Sequence, residues 1–98
     1  MDKKYTSVKI SVSDRDKKFK AVLRGDGVKK TIQFGAKGMS DFTKHKDPKR
    51  KKNYLARHKP RENWKVPDTA GSLSRWILWN KTSLDKSIKD YKRRFNLS

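Results

Sequence analysis

The sequence predicts an α+β domain in which a small three-stranded antiparallel meander is followed by two or three short helices. Three observations carry that prediction. The first third alternates apolar and polar residues with a period of two. Asp47-Pro48 and Pro60 bracket a helix. Near the end, Leu84, Ile88, Tyr91 and Phe95 recur at spacings of four, three and four, which places them on one helical face.

The strands come first. In YTSVKISV, Val8, Ile10 and Val12 share a face opposite Lys9 and Ser11. In KFKAVLR, Phe19, Ala21 and Leu23 oppose Lys18, Lys20 and Arg24, and in VKKTIQF, Val28, Lys30, Ile32 and Phe34 alternate with Lys29, Thr31 and Gln33. RGDGV at 24–28 supplies a tight turn through Gly25 and Gly27, which tolerate positive φ. SDRDK at 13–17 is a looser polar turn. The meander therefore has one apolar face and one basic face.

FGAKGMSD at 34–41 ends the strand pattern. Asp47 is an N-cap and Pro48 the first helical residue, so a helix runs from Pro48 to about His58, where Pro60 prevents continuation. Its apolar content is only Tyr54, Leu55 and Ala56. Positive charge in its first turns opposes the helix dipole, so Lys49, Arg50, Lys51 and Lys52 do not serve helix stability. Leu73, Trp76, Ile77 and Trp79 form a short apolar helical face. TSLD at 82–85 reads as a capping box with Thr82 as N-cap. The whole is one domain, residues 1–98, with a meander at 1–36 and a helical part at 37–98.

The 98 residues carry 28 Lys or Arg against 10 Asp or Glu, a net charge of +18, and only 32% are hydrophobic. A chain this size buries about two-thirds of its unfolded surface, so the core is thin and leans on its aromatics. A domain so basic repels itself, a cost tolerated where an anionic partner compensates. Nucleic acid is the commonest such partner, ahead of anionic membrane and acidic protein. The absence of cysteine excludes disulfides, thiolate catalysis and cysteine-based zinc sites. No apolar run approaches a membrane span, and MDKKYTSVKI has no signal core. The expectation is a chain without a transmembrane segment that is not secreted.

FGAKGMSDFTKHKDPKRKKNYLARHKPRENW, GSLSRWILWNK and SIKDYKRRF together resemble a family of small basic proteins of unknown function. That family is encoded by large double-stranded DNA viruses of algae and protists and by related mobile elements. The resemblance covers about residues 30–95, and the middle block is its most specific part. It implies a viral origin and a place in or around the virion, or otherwise in the host cytoplasm or nucleus. It brings no catalytic residues with it.

The candidate site is electrostatic. Lys44, Lys46, Lys49, Arg50, Lys51, Lys52, Arg57, Lys59 and Arg61 fall within eighteen residues, with Asp47 the one acid among them. Ordinary solvated helices balance their signs, and this segment does not. It is expected to contact phosphates, helped by outward strand residues Lys9, Lys18, Lys20 and Lys29. With about six phosphates neutralised, log K falls with log salt at a slope near −5 on a duplex. Nothing predicts a rigid element aimed at base edges, so sequence specificity is low.

Other readings compete with this one. Trp64, Trp76 and Trp79 offer stacking surfaces for unpaired bases, but their spacing favours a core role, Trp76 most clearly. His45, Asn53 and His58 follow the order of a histidine–asparagine–histidine nuclease. The helix, however, places Asn53 and His58 on different faces, and no strand presents His45. Asp41, Asp47 and Glu62 fit no recognisable metal spacing. Asp41 and Asp47 are expected to cap helices or pair with neighbouring Arg. The C-terminal helix is expected to close the domain's own core rather than lie on a membrane.

The resulting expectation is a non-enzymatic, cofactor-free viral protein, virion- or genome-associated. It binds nucleic acid, double-stranded DNA foremost, through charge. The alternative is a minor capsid or cement protein meeting capsid protein or an inner anionic membrane.

Overall fold

Strands β1 (Ser7–Val12), β2 (Lys17–Gly25) and β3 (Val28–Ala36) form an antiparallel sheet in the order β1-β2-β3 in a computed structural model that describes residues 4–98. The register opposes Val8 to Leu23, Ile10 to Ala21, Phe19 to Phe34 and Ala21 to Ile32. Because side chains alternate across a strand, these apolar groups share the face that meets the helices. Lys9, Lys20, Arg24 and Lys29 fall on the other. Val12 has the parity of the apolar face yet is 74% exposed, because that corner of the sheet lies outside the helical cover.

The hairpin between β2 and β3 corrects one detail. Gly27 takes φ 73° and makes the turn, whereas Gly25 lies within β2 and has no positive φ. Gly25 is needed for a different reason: a Cβ there would sit 2.1 Å from the Lys4 carbonyl oxygen.

A one-turn helix, α1 (Phe42–His45), follows where the sequence showed only a break. Asp41 caps it, accepting from the Thr43 N–H at 3.0 Å. Next comes α2 (Pro48–His58), capped by Asp47 accepting from Lys49 N–H at 2.9 Å and opened by Pro48, as the sequence predicted. A 3-10 turn, Lys59–Arg61, continues it. Then come α3 (Ala70–Leu73), a π turn at Ser74–Leu78, and α4 (Leu84–Arg94). The first two are single-turn helices or near it, and the architecture is the α+β arrangement of a sheet followed by short helices.

Thr82 does not cap α4. Ser83 does, accepting from the Lys86 N–H. Buried Ser87 accepts from the Lys81 N–H at 3.0 Å, which fixes the incoming loop so that Ser83 stands at the helix entrance. Position three of the helix is then Lys86, so no reciprocal capping box forms.

The core lies between the sheet and the later helices. Ala21, Leu23, Phe34, Leu73, Ile77, Leu78 and Tyr91 are all at most 2% exposed. Ile77 and Leu78, both from the π turn, enter the core. Tyr91 is buried and satisfies its hydroxyl on the Pro67 carbonyl at 2.7 Å. Leu84, Ile88 and Phe95 pack beside it, so the stripe on α4 closes the domain's own core. Truncating one such buried leucine to alanine costs about 2–5 kcal/mol. Among the described residues, no helix is long and apolar enough to cross a membrane.

Candidate nucleic-acid interface

None of the eleven residues of α2 is fully buried. A helix so exposed needs anchors: two contacts tie it to the rest of the domain, and one within the helix extends the first. The Tyr54 ring stacks on Trp79 with centroids 4.2 Å apart and planes 4° apart. His58 stacks on Tyr54 at 4.1 Å. Lys51 donates to the Asn80 carbonyl at 2.7 Å and lies over the Phe42 ring. Burial of the Tyr54 ring, with the nearby Glu62 carboxylate, pushes its hydroxyl pKa up to about 12.

Lys51, expected to reach outward to phosphates, thus turns its amine onto the Asn80 carbonyl and anchors the helix. Burial, then the charges of Arg75 and Lys81, pulls its pKa below the usual lysine value. Lys18, expected to face outward from β2, also turns inward. Its amine meets Asp41 at 2.6 Å, and its side chain is only 9% exposed. Burial alone would raise the Asp41 pKa, but hydrogen bonds from Lys18 and Thr43 outweigh it and hold the carboxyl below its usual range. Asp41 thus caps α1 and pairs with a lysine where an arginine had been expected.

Lys44, Lys46, Lys49, Arg50, Lys52, Arg57, Lys59 and Arg61 are exposed. Among the described residues none of them makes an ion pair with a carboxylate. The reason is visible in where the nearby acids go. Asp41 holds Lys18, Asp47 caps α2, and Glu62 lies 3.0 Å from His58 Nδ1 while accepting from Trp64 Nε1 at 2.7 Å. Asp90, further off, accepts from Asn80, Arg93 and Arg94. The acids are spent on internal ties, and the cations of α2 and its 3-10 turn are left to solvent.

On the sheet, Lys29 lies directly opposite Arg24, a like-charge pair that disfavours folding by a fraction of a kcal/mol. Lys20 is half-buried and 4.0 Å from Asp14, so it is partly neutralised. The sheet thus adds a weaker basic surface to that of α2.

The tryptophans serve structure. Trp76 donates Nε1 to the Trp64 carbonyl at 2.9 Å, and the guanidiniums of Arg75 and Arg94 lie over its ring at 4.1 and 3.7 Å. Trp79 stacks on Tyr54 and meets His45, whose centroid is 5.2 Å away.

The nuclease-like residues do not assemble a metal site: among the described residues no three His, Asp or Glu side chains converge on one. His45 Nδ1 accepts from the Asp47 N–H at 3.0 Å. Asn53 and His58, despite their helical separation, both border a cleft between α2, the end of β3 and the π turn. Sequence reasoning missed that cleft. Arg50 and Arg57 also border it, and Met39 stands at its edge.

A model of a family of unknown function (DUF5754) matches residues 8–58, slightly more than half of the chain. The matched span runs from the first strand to the last residue of α2, so it includes both the sheet and the basic helix. No curated protein matches the chain, and no solved structure does.

Proposed function

We propose that this chain, which belongs to the DUF5754 family, binds nucleic acid electrostatically with little sequence specificity, as a non-enzymatic protein associated with a viral particle or genome. One observation carries the reading. Lys49, Arg50, Lys52, Arg57, Lys59 and Arg61 project from a helix and turn with no buried residue, and none of the six makes an ion pair among the described residues. Such a surface gains free energy by releasing the counterions condensed on a phosphate backbone. The resemblance of residues 30–95 to proteins of large DNA viruses supports the viral setting and favours duplex DNA as the polyanion.

Low specificity follows from the same geometry. Base readout needs bidentate side chains held in a groove, whereas these are long cations on a solvent-facing helix. The test is a salt titration of binding to a labelled duplex of about 20 base pairs. The expected slope of log K against log salt is near −5 for about six neutralised phosphates. Absence of binding at about 50 mM salt, where such contacts are strong, overturns the reading and turns attention to a capsid protein or anionic membrane as partner.

A further inference from the structure

The cleft beneath α2 has features that a phosphate-binding surface alone does not need. Its volume is about 900 Å³, large for a domain of this size. Met39 stands at its edge 65% exposed, an apolar side chain with nothing laid over it. Arg50, Asn53 and Arg57, at spacings of three and four, present one face of α2 along its rim. The π turn, a geometry that recurs at functional sites, contributes Ser74 and Leu78 to the opposite wall.

The charge of the cleft selects its occupant. Asp41 is the one acid in its lining, and it is already held by Lys18 at 2.6 Å. The two arginine forks are left to attract an anion, and the exposed Met39 side chain accepts something flat and apolar. The Cα atoms of Arg50 and Arg57 are about 10 Å apart along the helix axis. At that separation the two long side chains reach separate anionic groups rather than one point.

We propose that this cleft receives an unpaired nucleotide of a single strand, with the base against Met39, Asn53 at the base edge, and the flanking phosphates against Arg50 and Arg57. The assignment rests on the nucleic-acid reading above but departs from its duplex preference, placing unpaired strands first. A duplex reaches the outer cations but not the cleft, because its bases stay in the stack unless they are flipped at a cost.

The experiment compares three labelled or competing probes on the full chain: a single strand of about ten nucleotides, a hairpin duplex with the same number of phosphates, and a free 5′-mononucleotide. The strand is expected to bind about tenfold tighter than the hairpin, the scale of one seated base, and to change tryptophan emission. Ala56→Phe, which fills the cleft from α2 without altering charge, is expected to erase that preference while leaving hairpin binding and its salt slope in place. Ser40→Phe fills it from the facing loop and gives the same result independently of any effect on the helix.

If the hairpin binds with a steep salt slope but the strand gains nothing, or if both variants are silent, the cleft assignment fails while the surface reading stands. A mononucleotide that competes as well as the strand overturns the strand and assigns the cleft to a free nucleotide. No binding by either strand or hairpin at low salt defeats the underlying reading and this inference together.

Discussion

The rings of Tyr54 and Trp79 lie parallel, 4° between planes and 4.2 Å between centroids, and join the exposed basic helix to the core. His58 extends the stack on one side, and His45 meets Trp79 on the other. Four rings from α1, α2 and the residue that follows the π turn therefore form one row. The helix that carries most of the site's charge is positioned by aromatic contact.

Tyr54→Ala is expected to loosen α2 selectively. The stacked pair contributes about 1 kcal/mol beyond the area it buries. Hydrogen exchange should show faster exchange of α2 amides with little change in β2 and β3, whereas Tyr54→Phe should preserve protection. Equal loss of protection across sheet and helix would contradict a local anchoring role.

Lys51 and Lys52 are neighbours with opposite roles. Lys51→Gln withdraws the amine from the Asn80 carbonyl and should lower stability by about 1 kcal/mol while leaving the salt slope of duplex binding nearly unchanged. Lys52→Gln should leave stability within about 0.5 kcal/mol and reduce the slope by about 1. Thermal melts and salt titrations of the two variants check this, and identical behaviour would refute the distinction.

These two residues also show what the sequence could convey. The alternating strands, the Asp47-Pro48 helix start and the Leu84–Phe95 stripe were legible because each is a local pattern with a physical period. The direction of Lys51 was not. In a run of four cations no apolar neighbour tells which one turns inward, and its acceptor lies on a distant turn. Lys18 was misread for the same reason: its partner Asp41 lies beyond β3, and strand parity alone assigned it to solvent. The cleft was invisible because it exists only once α2, β3 and the π turn come together. A 3.6-residue template also cannot register a π turn, so Leu78 was left out of the core.

Removing one partner of the Lys18–Asp41 pair should be costly, since it leaves a charge in a site where the lysine is 9% exposed. Asp41→Ala is expected to cost about 3 kcal/mol or more, including the loss of the α1 cap. Lys18→Met added to Asp41→Ala should recover part of that. Urea unfolding of the single and double variants is the check. A double variant that is less stable than Asp41→Ala alone would count against a buried pair.

Acid should weaken the fold through Asp90. Burial raises its pKa, but hydrogen bonds from Asn80 and Arg93, with the charge of Arg94, pull it further down, from the ordinary 3.8 to about 2. A carboxyl whose folded pKa is depressed stabilises the fold above its unfolded pKa and loses that contribution as pH falls towards the folded value. The contribution is about 2 kcal/mol, present at neutral pH and lost between about pH 4 and pH 2. Asp90→Asn should lower stability at pH 7 and flatten its pH dependence in that window. A variant with the parent's acid profile would show that Asp90 is not the group responsible.

The central claim is that α2 grips phosphates through its outward cations. It is tested most directly by the salt slope of duplex binding for the parent chain and for a variant carrying Lys49→Gln, Arg50→Gln, Lys52→Gln and Arg57→Gln. The account predicts a parent slope near −5 that becomes shallower by about 3 to 4 in the variant, with the fold intact. A variant that keeps the parent's slope and affinity would show that the phosphates are held elsewhere and that α2 is not the interface.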